Sequence, residues 1–184
     1  MNILRNIPNI ISTLRILMVY PIAFFIWEEA YHNAFILMLI AGLSDALDGF
    51  LARTFHWQSK LGALLDPAAD KLLLVSIFII CGLKGFLPLW LVALIFLRDI
   101  VIVIGAFFYQ KVTQDKKIKP LLISKVNTAM QIILVVLTLY QEAMQAFPNH
   151  INVLLIALVT FTTLVSGITY VMLWTRYTLE YKNN

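Results

Sequence analysis

Apolar stretches of membrane-crossing length recur along this chain, separated by short polar breaks that carry many of its Pro, Asn and charged residues. The first covers Asn9–Trp27 and ends at the polar turn of Glu28, Glu29 and His32; the second covers Asn33–Thr54. Ser59 is placed to cap a third helix over Lys60–Leu83. Pro67 leaves two readings of that helix: a kink beside a polar cavity, or a start at Asp66 as N-cap with Pro67 as the first helical residue. Lys84, Gly85 and Pro88 lead into a fourth stretch, Leu87–Tyr109. A basic linker (Lys111, Asp115, Lys116, Lys117 and Lys119, closing at Pro120) precedes a fifth, Leu121–Glu142. A turn at Phe147–Asn149 precedes a sixth, Ile151–Leu173. Met1–Ile7 reads as a short interfacial helix, and Trp174–Asn184 as a polar tail anchored by Trp and Tyr. About 20 mostly apolar residues span a bilayer. The pattern therefore predicts an all-α, polytopic membrane protein: six transmembrane helices forming one domain over residues 1–184.

Composition agrees with the pattern. Hydrophobic residues make up 61% of the chain and the mean hydropathy is +0.86, well above the range of soluble domains. The net charge of +4 is not a nucleic-acid signal, because the positive residues flank apolar stretches. Arg5, Arg53, Lys60, the lysines between 111 and 125, Arg176 and Lys182 fall on one side of a six-span topology, and Lys84 alone falls on the other. The positive-inside rule then puts both termini in the cytoplasm. Pro8, Asn9 and Arg15 interrupt the N-terminal apolar run, so it reads as a retained span rather than a cleaved signal. With no transit-type extension before Met1, a bacterial inner membrane is the expected location. Cys81 is the only cysteine and can form no disulfide within the chain.

The candidate chemistry lies between Ser44 and Asp70. Acids in membrane-like sequence are costly and point to function. Asp45 and Asp48 lie three apart on the second helix, and Gly62, Asp66 and Asp70 repeat at four on the third. Two such helices face to face would make a cage of four carboxylates that needs bound cations to stay ionised. Two divalent ions would neutralise it and clamp a pyrophosphate. Gly49 and Gly62 then allow a ligand close to the backbone, and Arg53 offers charge to phosphate oxygens. Ion or proton transport is the rival class. All four acids sit toward the cytoplasmic ends of their helices, with no acid in the outer half to continue a relay. Arg15 has two readings, snorkelling to the near interface or facing the cavity to bind an anion.

The pattern Asp45-x-x-Asp48-Gly49-x-x-Ala52-Arg53, eight residues, Gly62-x-x-x-Asp66-x-x-x-Asp70 resembles the signature of the CDP-alcohol phosphatidyltransferases at every defined position. The resemblance implies two divalent cations, Mg²⁺ or Mn²⁺, held by Asp45, Asp48, Asp66 and Asp70. It places the CDP group over Gly49, Ala52 and Gly62, with Arg53 on its phosphates. It makes Asp70 the general base toward an acceptor alcohol, with CDP-diacylglycerol as donor and an active site facing the cytoplasm. It also implies membrane lipids as partners, and a homodimer.

Residues 6–16, 97–109 and 119–135 are similar to cardiolipin synthases that use CDP-diacylglycerol, which join phosphatidylglycerol to a second phosphatidyl group. The related glycerophosphate phosphatidyltransferases place an Arg in the fourth span and two lysines early in the fifth. Arg98 and Lys125 match them, Asn127 stands at the second lysine position, and Asp99 replaces a Glu. One cation fewer suits a phosphodiester acceptor, giving cardiolipin, with glycerol 3-phosphate as the alternative. Arg98, Lys125, Asn127 and Arg15 are the expected acceptor-side residues.

Overall fold

A computed structural model describes residues 7–55, 62–113, 121–145 and 148–183. The described residues form six α-helices and no strands: α1 (Ile7–Trp27), α2 (Tyr31–Thr54), α3 (Gly62–Leu83), α4 (Leu89–Thr113), α5 (Leu122–Met144) and α6 (Asn149–Asn183). The expected interfacial segment before Ile7, the Ser59 cap and most of the basic linker lie outside the described residues.

Each expected span has its helix, and Pro67 sits inside α3 rather than opening it. The ends differ in one place that matters. Where a polar tail was expected after Leu173, α6 continues to Asn183, because no Gly or Pro follows Gly167 to stop it. Trp174 belongs to this helix and is buried.

Four helices are long and apolar enough to cross a membrane among the described residues: Asn9–Trp27, Leu89–Tyr109, Leu122–Met144 and Ile151–Arg176. In α2 the described residues include a shorter apolar stretch, Tyr31–Leu47. Large apolar side chains such as Leu17, Val103, Phe107 and Phe161 point outward, as they should where the surrounding solvent is lipid.

The helices group into two compact units. The first contains α1, α2, α3 and α5 from Val135 onward. In it, α1 packs against both α2 and α3. The buried stripes of these helices share one design. On α1, Ser12, Arg15, Ile22 and Ile26 are buried at helical spacing, polar at the N-terminal end and apolar beyond. On α2, Ala34, Met38 and Ala41 form the apolar part, and the same stripe reaches Asp45 near the C-terminal end. On α3, Asp66 and Asp70 come first, followed by Leu73, Ile77 and Cys81. An up-down-up arrangement brings the three polar ends together and the three apolar ends together.

The turn at Glu29 (φ 62°) reverses the chain between α1 and α2, and Gly85 (φ 81°) ends α3, both in left-handed conformation. Around Gly85, the Phe86 N–H donates to the Cys81 carbonyl at 2.9 Å and the Gly85 N–H to the Gly82 carbonyl at 3.1 Å. This is a Schellman stop, for which glycine is the least strained residue. Lys84, the one cation expected on the far side, ion-pairs with Glu29 at 3.3 Å and lies over the Trp27 ring.

The second unit contains α4, α5 up to Leu134, and α6. There α4 packs on α6. At Gly105 a Cβ would fall 2.0 Å from the Trp174 ring, so the indole lies directly against the α4 backbone. The Leu121 N–H donates to the Tyr170 hydroxyl at 3.1 Å, tying the start of α5 to α6.

Candidate active site

The polar ends of α1, α2 and α3 meet around one guanidinium. Arg15 is 1% exposed. Its Nη1 lies 2.6 Å from Asp45 Oδ1 and 2.5 Å from Asp70 Oδ1. Those two oxygens are thus no farther apart than the two contacts laid end to end. One turn earlier on α1, the Ser12 hydroxyl donates to Asp66 Oδ1. Three of the four expected carboxylates, from two helices, are therefore gathered by a single face of α1.

The cation is buried while its carboxylate partners are half exposed, at 46% for Asp45 and 45% for Asp70. The anions are held from inside and open on their other side. Such a set, hard carboxylate oxygens brought close together, is the donor chemistry that Mg²⁺ and Mn²⁺ prefer. The residues present fit those ions. Among the described residues no three ligand side chains already form a metal cage. The space between Asp45 and Asp70 is taken by Arg15.

Asp48, Ala52 and Arg53 lie on the last two turns of α2, and Gly62 opens α3, but their side-chain environments lie outside the described residues. Gly49 is on α2 next to Asp48 and partly exposed. His56 and Trp57 fall outside the described residues. A cleft lined by Glu29, Tyr31, His32 and Glu142 lies at the opposite end of α2 from the carboxylates and is separate from them.

In the second unit, Arg98 is 7% exposed. It donates to Asp99 Oδ1 at 2.8 Å, to the Ser124 hydroxyl at 2.6 Å and to the Ser166 hydroxyl at 2.5 Å, so one side chain links α4, α5 and α6. Asn127 is fully buried. Its Oδ1 accepts from the Thr162 and Thr163 hydroxyls at 2.8 and 2.9 Å. Lys125 is exposed in the first turn of α5. Arg98 and Asn127 thus belong to one polar layer within this unit, and Lys125 points away from its interior.

Sequence reasoning did not single out Ser12, Ser124, Ser166, Thr162 or Thr163. Ser12 had a usable signal: it precedes Arg15 by three and continues the buried stripe of Ile22 and Ile26. The hydroxyls around Arg98 and Asn127 had none, since Ser and Thr are common on helices in lipid.

The profile of the CDP-alcohol phosphatidyltransferase family matches residues 5–177. Similar relatives include a cardiolipin synthase (CMP-forming) of Rattus norvegicus, 32% identical over 181 residues, covering 90% of this chain and 60% of the relative. The human cardiolipin synthase (CMP-forming) matches to the same extent. A chloroplastic CDP-diacylglycerol–glycerol-3-phosphate 3-phosphatidyltransferase 1 of Oryza sativa subsp. japonica is 37% identical over 184 residues, covering 90% of this chain and 56% of the relative. The chain spans less than two thirds of the length of these relatives.

Proposed function

The chain belongs to the CDP-alcohol phosphatidyltransferase family, and from that premise we propose that it transfers a phosphatidyl group from CDP-diacylglycerol to phosphatidylglycerol, releasing CMP and forming cardiolipin. The observation that carries this reading is the convergence of Asp45, Asp66 and Asp70 on the Ser12–Arg15 face of α1. A transport role would ask instead for acids distributed through the bilayer.

In this reading Asp45, Asp48, Asp66 and Asp70 hold two divalent cations, Mg²⁺ or Mn²⁺. When bound, these ions supply Lewis-acid stabilisation of the charge on the departing CMP. Gly49, Ala52 and Gly62 accommodate the CDP group, and Arg53 contacts its phosphates. The acceptor hydroxyl oxygen forms a bond to the lipid-side phosphorus as the phosphorus–oxygen bond to CMP breaks. Its proton passes to the Asp70 carboxylate. Asp70 is half exposed and opposite a buried cation, so it can meet a hydroxyl arriving from the open side.

On the acceptor side, Arg98 and Lys125 supply charge for the phosphate. Asn127 supplies no second cation early in α5, which suits the single negative charge of a phosphodiester. All six helices cross the membrane in this reading, α2 and α3 with their acids at the cytoplasmic face. Both termini are cytoplasmic, the membrane is a bacterial inner membrane, and the chain forms one functional domain and assembles as a homodimer. A second reading, glycerol 3-phosphate as acceptor giving phosphatidylglycerophosphate, is favoured by the name of the rice relative.

Purified protein given CDP-diacylglycerol, Mn²⁺ and one acceptor at a time distinguishes the two. Cardiolipin from phosphatidylglycerol, with little product from glycerol 3-phosphate, is the expected result. The reverse pattern would establish the second reading.

A further inference from the structure

The most unusual residue in the first unit is its buried cation. Arg15 is the largest fully buried side chain in the described structure, and burying a guanidinium is expensive unless it is paired. It is paired with two of the groups that the proposed chemistry needs for metal. One nitrogen serves both, Nη1 meeting Asp45 Oδ1 at 2.6 Å and Asp70 Oδ1 at 2.5 Å. Each contact uses a carboxylate oxygen that a divalent cation would otherwise coordinate.

The arrival of metal changes the charge balance around this side chain. Without metal, a cluster of carboxylates needs at least one internal cation to stay ionised and close together, and Arg15 supplies it. Two divalent ions neutralise four aspartates by themselves. A guanidinium sharing their carboxylates is then surplus and is repelled at short range. An anionic pyrophosphate beside the same ions is a more favourable partner for it.

We propose that Arg15 is a placeholder for metal. It holds Asp45 and Asp70 together until divalent cations displace it, and it then turns to the phosphates of the CDP-linked donor. Arg15 is accordingly a positioning residue that orders binding, metal first and nucleotide second. This inference rests on the metal-dependent reading above. It differs from a fixed clamp, in which Arg15 would stay on the aspartates and help to bind metal.

The test reads Mn²⁺ binding to the detergent-purified full chain by electron paramagnetic resonance, for the wild type, Arg15→Gln and Arg15→Lys. Removing the placeholder removes a competitor. Arg15→Gln is expected to bind Mn²⁺ about tenfold more tightly, with Arg15→Lys, which keeps the charge, close to wild type. In saturating Mn²⁺, CDP binding measured by calorimetry is expected to weaken about tenfold in Arg15→Gln. Thermal unfolding with and without Mn²⁺ shows that each variant is folded, and Arg15→Gln is expected to gain more from the metal than the wild type does. Weaker or unchanged Mn²⁺ binding in Arg15→Gln would overturn the placeholder and leave metal dependence intact. Unchanged CDP affinity would overturn the second step alone. A wild-type chain that binds no Mn²⁺ would overturn both the inference and the metal reading beneath it.

Discussion

At the scale of single residues, the site depends on which groups share a partner. In the proposed reaction Asp70 has two roles, binding metal and accepting the acceptor's proton. Replacing it by Asn keeps the size and one oxygen donor but removes the basic site. Asp70→Asn is expected to lower the transfer rate about 100-fold or more, while Mn²⁺ binding weakens but stays measurable through Asp45 and Asp66. Near-normal turnover with metal still bound would take the proton-accepting role away from Asp70. The four aspartates were legible in the sequence because intramembrane acids are rare and their spacing of three and four is specific. The partner of Arg15 was not. Asp70 lies 55 positions away, and no local pattern separates an arginine that snorkels from one that turns inward. Asn127 shows the same limit. Its type at a lysine position was readable, but its complete burial and its two threonine donors depend on α6.

At the scale of helices, close approach is set by small residues. In lipid there is no hydrophobic drive between helices, so packing and hydrogen bonds must hold them together. Gly105 of α4 and Trp174 of α6 make the tightest such contact among the described glycines. Gly105→Ala is expected to destabilise the protein by about 1–3 kcal/mol, as overpacking does, and the added change Trp174→Ala should recover part of the loss. Thermal unfolding of the single and double variants in detergent measures both. Equal, additive losses would mean that the two side chains do not meet. Helix existence was plain from run length alone, yet helix ends were not. Hydropathy marks where a membrane stops, whereas a helix continues until a breaker intervenes, and none intervenes after Gly167. Trp174, expected at an interface, also packs against the α4 backbone.

At the scale of the whole molecule, polarity is segregated along the helices as well as around them. The inward stripes of α1, α2 and α3 are apolar at one end and ionic at the other, which gathers the ionic side chains at one end of the first unit and leaves the other end to packing. The all-α class, the six helices among the described residues and the ionic stretch were readable from the order of polar and apolar residues. The grouping into two units was not, because it depends on contacts between distant helices. The central claim is that these carboxylates run metal-dependent phosphatidyl transfer. The most direct measurement is CMP release from CDP-diacylglycerol and phosphatidylglycerol by the purified chain, with Mn²⁺ and with a chelator, for the wild type and Asp66→Asn. CMP in step with lipid product, abolished by the chelator and by Asp66→Asn, is the predicted result. CMP release that survives both treatments would contradict it.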